Sequence, residues 1–484
     1  MVFSSNIFLF LFLPIVLLGY YASPRVLGNA WLLLTSLLFY AWGGQQMTLL
    51  LLGIVAINYA FGAWIEKARD RPSGRWVLGA SVVANLAPLA YYKYAAFFLS
   101  ALSPLTSAAG FGPLPQWEMT LPVGISFFIF QAMSYTIDVY RRDTPAARNP
   151  IDVALYVAFF PQLIAGPIVR YRDVADQLQS RRETAAQFSE GVERFILGLA
   201  KKVLLANTTG AVADQIFNIP GADLNAPVAW LGIVCYTLQI YYDFSGYSDM
   251  AIGLGLMFGI RFLENFNYPY VSRSVTEFWR RWHISLSVWF RDYLYIPLGG
   301  NRGKPWQTYR NLLIVFLLCG LWHGASWNFV VWGLFHGVFL VAERWGWGQR
   351  LARLPGVVAH AYTLLAVMGG WVFFRTYDLA QAGEFFATLA GLGRGDSASH
   401  EVGMYVDPAM GVILGLAIVG TTPWLPYVKD RIAAQQASAE GKELAWPSRF
   451  ALSSTRLTAL ASLLVGSAIL LSAATYNPFI YFRF

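Results

Sequence analysis

Histidine is the side chain whose ordinary pKa lets it take and return a proton near neutrality, and this chain has five: His283, His323, His336, His360 and His400. His323 stands in CGLWHGASWNFVVWGLFHG. This lies inside a run from Asn311 to Ala342 that contains no Asp, Glu, Lys or Arg and is bounded by Arg310 on one side and by Glu343 and Arg344 on the other. A polar ring in such a run must meet a partner or a cavity, and an imidazole there can take and return a proton. The competing reading is a packing histidine bonded to a neighbouring helix. Trp322, Asn328 and His336 share the segment and are candidate cavity or support residues, with His336 on the returning arm. His360 and His400 read as structural or exposed.

His283 stands in VTEFWRRWHISLSVWFRDYLYIPLGGNRGK, where Glu277, Arg280, Arg281, Arg291, Asp292, Arg302 and Lys304 alternate with Phe278, Trp279, Trp282, Trp289 and Phe290. That stretch is too charged to span a bilayer and too aromatic to be a solvated loop, which predicts an interfacial helix on the cytoplasmic face. A third polar island, YYDFSGYSDMAIGLG, sets Asp243, Ser245, Ser248 and Asp249 in the apolar run from Val228 to Ile260. These groups either line a cavity and orient a histidine or form a structural polar network. The two cysteines, Cys235 and Cys319, each sit in an apolar run, so neither a disulfide framework nor a metal cluster is expected. No nucleophile elbow, phosphate loop or zinc motif occurs.

The elements that position these groups are membrane helices. The chain is 56% hydrophobic and 13% charged, with mean hydropathy +0.47, against roughly a quarter charged in a soluble domain. Apolar runs recur along the whole length: Trp31 to Trp42, Leu49 to Trp64, Trp76 to Tyr92, Tyr362 to Phe374 and Leu457 to Ala474. The formal net charge of +8 resides in short loops between such runs, where it orients the protein and gives no support to nucleic-acid binding. The N-terminal apolar segment lacks a basic leader and is expected to be a first span. No internal repeat of the kind an inverted-repeat transporter shows is visible.

Basic loops mark the cytoplasmic side. Lys67, Arg69, Arg71 and Arg75 lie in one such loop and Arg141, Arg142 and Arg148 in another, while Gly43 to Gln46 is uncharged and Ser100 to Thr120 carries only Glu118. Continuing the count, with Lys429, Arg431, Lys442 and Arg449 inside, puts both termini outside. The segment from Ile151 to Val169 has basic residues on both flanks, and FFPQLIAGPI places Pro161, Gly166 and Pro167 where a helix breaks, so it is expected to re-enter. By the same parity, the run around His323 should form two arms turning near Gly320 to Gly324, with ~13 residues carrying His323 roughly 20 Å from Arg310. One all-α membrane domain over 1–484 follows, with N-terminal helices in 1–140, a core with re-entrant elements in 141–353 and C-terminal helices in 354–484. About ten to twelve crossings are expected.

These islands, in this order, resemble the membrane-bound O-acyltransferase (MBOAT) family, and within it the bacterial branch typified by the alginate O-acetylation membrane protein. The blocks that carry the resemblance run from MVFSSNIFLFLFLP through LPVGISFFIFQAMSYTIDVYR, FFPQLIAGPI, the YYDFSGYSDM, RRWHIS and LWHG motifs, and GWVFFR to the aromatic tail. The resemblance implies a fold around a central funnel or tunnel, with His323 as the family's invariant histidine and His283 as its second polar position. It also implies transfer of acetyl from cytosolic acetyl-CoA, a donor substrate and not a resident cofactor, across the bacterial inner membrane to a periplasmic acetyltransferase partner that O-acetylates an exopolysaccharide. Alginate is the first candidate, with peptidoglycan and cellulose as alternatives. On this reading Arg280, Arg281, Arg291, Arg302 and Lys304 hold the CoA phosphates, although cytoplasmic anchoring explains the same charges. A carrier or flippase for an acyl donor, or a scaffold for exopolysaccharide partners, would also suit a broken helix and intramembrane carboxylates.

Overall fold

A computed structural model describes the chain apart from residues 116, 118, 394, 396–399, 425, 429–430, 432–445, 474–475 and 480–484, and apart from the side chains of 446–453. Lys429, Lys442 and the end of the aromatic tail therefore lie outside the described residues, which form helices and no strands. Four of these helices are long and apolar enough to cross a membrane by length and composition: Gln45–Ala68, Ala185–Phe217, Gly356–Arg375 and Ser454–Ala473. Phe8–Ala22, Arg25–Ala41 and Pro408–Gly420 are shorter apolar helices. The sequence-based expectation of ten to twelve crossings is larger because the core elements are interrupted or diluted by polar residues. The two ends of the chain lie together, with the Asn477 amide donating to the Ser4 carbonyl at 2.6 Å and the Asn6 amide to Ser472 Oγ at 3.1 Å.

The centre is the 32-residue helix Ala226–Met257, opened by Asn225, whose side chain accepts from the Val228 amide. Almost all of it is buried, so its polar residues face protein. It packs along Ala185–Ala200 and the π-helical turn Lys201–Ala206, from which Lys202 reaches Asp243 at 2.6 Å and Lys201 reaches Asp249 at 2.6 Å.

The expected break in FFPQLIAGPI is present. Helix Pro150–Ala158 stops at Phe159 (ψ 114°), a single turn Phe160–Leu163 follows, and the chain then turns through Ile164 to Gly166 and continues without regular structure to Arg170, with every residue from Asp152 to Val169 buried. Its two ends come back to one face. Arg172 pairs with Asp143 at 2.6 Å, Arg170 and Arg172 pair with Asp292 at 2.6 and 3.0 Å, and Arg142 pairs with Asp70. The basic loops expected on the cytoplasmic side are thus knitted into one layer. Burial lifts the Asp292 carboxyl, but the neighbouring guanidiniums of Arg291, Arg170 and Arg172 outweigh it and hold the group below the usual carboxylate range. Cysteines placed at the exposed positions Arg148 and Gln179 should react with an impermeant maleimide from the same side of the membrane; labelling from opposite sides would reject re-entry.

The two arms around His323 are Pro305–His323 and Trp327–Ala342, packed against each other. Gly324 to Ser326 makes the turn, whereas the sequence placed it at Gly320 to Gly324. Gly320 is still helical and serves close approach: a β carbon there would collide with the Phe329 carbonyl oxygen, and one on Gly333 with that of Phe316, so the two backbones touch where both positions lack a side chain.

The stretch expected as one interfacial helix is instead two short helices, Val275–Arg281 and Ile284–Phe290, turned inward at His283. Glu343 fixes its start by accepting from the Val275 and Thr276 amides at 2.7 and 2.9 Å, an acidic group at a helix N-terminus. Phe278, Trp279, Trp282, Trp289 and Phe290 are all buried. The aromatic content that resembled an interfacial belt is core: in the first helix Arg280 is exposed and Glu277 and Arg281 are half-buried while Phe278 and Trp279 are buried, and the second helix carries no charge at all.

Candidate active site

His323 is the last residue of its helix and is 5% exposed. Its ring lies edge-on to Trp322 and Trp332, both at 4.9 Å between centroids, and to Phe374 at 5.2 Å. It borders two spaces. One, of about 170 Å³, is shared with Lys93, Ser126, Phe127, Ile164 and Trp322. The other, of about 10 Å³, lies deeper among Ile240, Phe244, Trp282, Trp332, Trp371 and Phe374, and is about large enough for one water.

His283 meets this site across Trp322. Its ring is 6.0 Å from the Trp322 ring and 4.6 Å from Phe244, which itself lines the deeper space with His323. The backbone at His283 is left-handed (φ 45°, ψ 54°), a conformation that a non-glycine residue keeps only where its surroundings over-determine it, most often at functional sites. The determinant is Asn265. Its Oδ1 lies 3.1 Å from His283 Nδ1 and also accepts from the Ser285 amide at 3.1 Å and from Ser285 Oγ at 2.9 Å. An oxygen receiving two other donors accepts from Nδ1 as well, which assigns the proton to Nδ1 and leaves the Nε2 lone pair free to act. Nε2 is buried and has no hydrogen-bond partner among the described residues.

The other sequence candidates separate into groups. Trp322 belongs to the site, with its ring edge-on to Phe127 and tilted against Phe130, and donates to the Ser126 carbonyl at 3.3 Å. Asn328 ties the turn after His323 to the neighbouring helix through the Thr376 carbonyl at 2.8 Å and is a support residue. His336 is fully buried one arm away, 5.1 Å from both Trp279 and Trp332, and neither ring nitrogen has a hydrogen-bond partner among the described residues. Asp243 and Asp249 belong to the ion pairs of the central helix, the latter also with Arg194 at 2.7 Å, and Ser245 lies buried between them; none of the three lines the His323 spaces. The structure thus sets the two carboxylates in ion pairs away from the spaces that His323 borders. The five cations are not gathered either: Arg281 pairs with Glu277 at 3.0 Å, Arg291 pairs with Asp292 at 2.7 Å, and Arg280, Arg302 and Lys304 are exposed. No group of acidic, histidine and cysteine residues among the described ones could hold a metal ion.

Two larger openings approach the histidines from opposite ends. One, of about 620 Å³, is bordered by Arg273, Thr276, Glu277, Leu312, Leu340, Glu343 and Arg344. Glu277 belongs to the stretch expected on the cytoplasmic face, but the opening stops short of His323. One helical turn deeper than Leu312 and Leu340 come Phe316 and His336, and the Trp279 ring closes over both at 5.2 and 5.1 Å. The second, a groove of about 920 Å³, is lined by Tyr91, Lys93, Trp117, Thr120, Gly324, Ser326, Phe374 and Thr376 among others, and shares Lys93 with the His323 cavity. The groove lies at the turn between the two arms, the end opposite to Leu312 and Leu340, beside the loop from Ser100 to Thr120.

Sequence reasoning passed over Asn265, Glu343 as an anchor, and Lys93. Lys93 had a signal: a lysine directly following the apolar run that ends at Tyr92, with no basic neighbour to make it part of a cytoplasmic loop.

Residues 143–347, which include both histidines and their flanking helices, match the family model described as MBOAT, membrane-bound O-acyltransferase family. The chain is 43% identical to the probable alginate O-acetylase AlgI of Pseudomonas aeruginosa, with both chains covered over 100% of their lengths. It is 45% identical to the protein of the same name from Pseudomonas putida, again over 100% of each. With the peptidoglycan O-acetyltransferase of Helicobacter pylori it shares 37% identity over 83% of this chain and 81% of the other. The apolar helices, the inward-turned histidine segment and these full-length similarities lead to one conclusion: the chain belongs to the membrane-bound O-acyltransferase family and is an all-helical membrane acyltransferase.

Proposed function

We propose that the chain moves acetyl from cytosolic acetyl-CoA across the bacterial inner membrane to a periplasmic acetyltransferase partner for O-acetylation of an exopolysaccharide, alginate in the first instance. The observation that carries this reading is the pair of histidines meeting across Trp322 between two openings on opposite ends of the protein. Full-length similarity to proteins named for alginate supports the polymer; peptidoglycan is the second reading, favoured by the Helicobacter pylori relative.

In this reading acetyl-CoA docks at the opening edged by Arg273 and Arg344, two exposed guanidiniums suited to phosphate, and its thioester advances once Trp279 and His336 yield. The acceptor hydroxyl arrives by the opposite groove. A ring nitrogen of His323 takes the hydroxyl proton as the oxygen attacks the thioester carbonyl, the C–S bond breaks, and the CoA thiolate receives the proton; alternatively His323 carries the acetyl between the two steps. His283, held by Asn265, supports the donor end. In this reading the basic layer faces the cytoplasm, which the positive-inside rule supports, and both termini face the periplasm.

The test is purified protein given acetyl-labelled CoA, with and without periplasmic partners. Thioester cleavage that requires His323 and is slowed, with residual turnover, in His283→Ala is the expected result. Normal binding and turnover in His283→Ala would remove that residue from the site. Transport of an acylated carrier without cleavage would replace the enzyme reading by the carrier.

A further inference from the structure

The last carbonyls of a helix have no partner within it. In the helix that ends at His323, three of them are met by a single π-helical turn, Ala90–Tyr94, from another part of the fold. Tyr94 donates its hydroxyl to the Leu321 carbonyl at 2.8 Å, and the Lys93 ammonium donates to the carbonyls of Trp322 at 2.6 Å and His323 at 3.1 Å. In a regular helix adjacent side chains do not face the same way. The wider π turn, a feature that recurs at functional sites, lets both reach one helix end. The third Lys93 proton goes to Ser126 Oγ at 3.3 Å, beside the carbonyl to which Trp322 donates.

We propose that Lys93 is a positioning residue for acyl transfer: its ammonium caps the helix that carries His323 and fixes the imidazole in the wall of the cavity that it lines. The proposal rests on His323 being the reacting histidine. An ammonium has three donors, and here all three are engaged by the protein, so Lys93 has none left for a substrate and acts through the helix end. A cation is the fitting cap because the C-terminus of a helix is its negative pole. Lys93 lines both the cavity and the groove, and the helix end that it caps borders them through Trp322, His323 and Gly324, so a slack helix end would change the walls of both.

The test uses the full-length protein with Lys93→Met, Lys93→Arg and Lys93→Gln. In acetyl-CoA turnover, kcat for Lys93→Met is expected to fall about 10- to 100-fold, the range that a misplacement of about an ångström produces. The KM for acetyl-CoA should stay near that of wild type, and Lys93→Arg should recover most of the rate. Wild-type kcat in Lys93→Met, or a change confined to KM, overturns the proposal. Site-resolved modification of His323 by diethyl pyrocarbonate gives a readout independent of turnover: its rate should change in Lys93→Met and return in Lys93→Arg, and an unchanged rate overturns the proposal as well. If the wild-type protein cleaves no thioester, the functional reading fails, and the modification rates still decide whether Lys93 holds His323. Should Lys93→Met not accumulate, Lys93→Gln against Lys93→Arg decides: equal rates in the two overturn a role for the charge.

Discussion

His323→Ala is expected to abolish acetylation of the exported polymer in cells and thioester cleavage by the purified protein, while the chain still inserts and accumulates. General-base catalysis is typically worth about 10²- to 10⁴-fold, which corresponds to about 2.7–5.4 kcal/mol of barrier. The packing loss is of a different kind. The ring touches Trp322, Trp332 and Phe374 edge-on and already borders open space on two sides, so truncation enlarges an existing cavity and leaves no buried charge behind. His323→Gln, which keeps most of the volume and a polar group but provides no basic nitrogen, separates the two contributions: it should accumulate as wild type and be as inactive as the alanine variant. Acetylation at the wild-type level in either variant would end the assignment of His323, and would favour a scaffold role in which the histidine only packs.

How the two histidines come together was legible in part. The run between Arg310 and Glu343 carries an unambiguous signature, an apolar stretch too long for one arm with basic residues at both ends, and the structure folds it into two arms with His323 at the turn. The break in FFPQLIAGPI was equally plain, because proline and glycine act on the backbone through local geometry. The inward turn at His283 was not readable, since it depends on a left-handed residue held by Asn265, eighteen positions earlier in the chain, and no periodicity encodes such a partner. Charge was the least reliable guide. The arginines near His283 suggested a phosphate site, but two of them are paired with Glu277 and Asp292, and of the guanidiniums that do border an opening, Arg344 entered only as a flank of the apolar run and Arg273 not at all. A linear sequence shows where charges are and not which of them already have partners.

The same distinction governs the carboxylates of the central helix, and Lys202→Met should show it as a stability effect. Lys202 and Asp243 are each 3% exposed and 2.6 Å apart, and the Lys202 ammonium also donates to the Pro478 carbonyl, which ties the C-terminal segment to the core. Replacing the lysine leaves the Asp243 carboxylate buried without that cation, a situation that in folded proteins costs about 3–5 kcal/mol, whereas exchanging both partners for apolar groups of similar size is often neutral or stabilising. Lys202→Met alone is therefore expected to lower accumulation in the membrane and the thermal midpoint steeply, and Lys202→Met with Asp243→Leu to recover much of both. Acetyl-CoA turnover per folded molecule should recover along with them, because the pair lies outside both spaces that His323 borders. A double variant that folds as wild type yet turns over nothing would contradict this, and would move Asp243 from the scaffold into the transfer machinery.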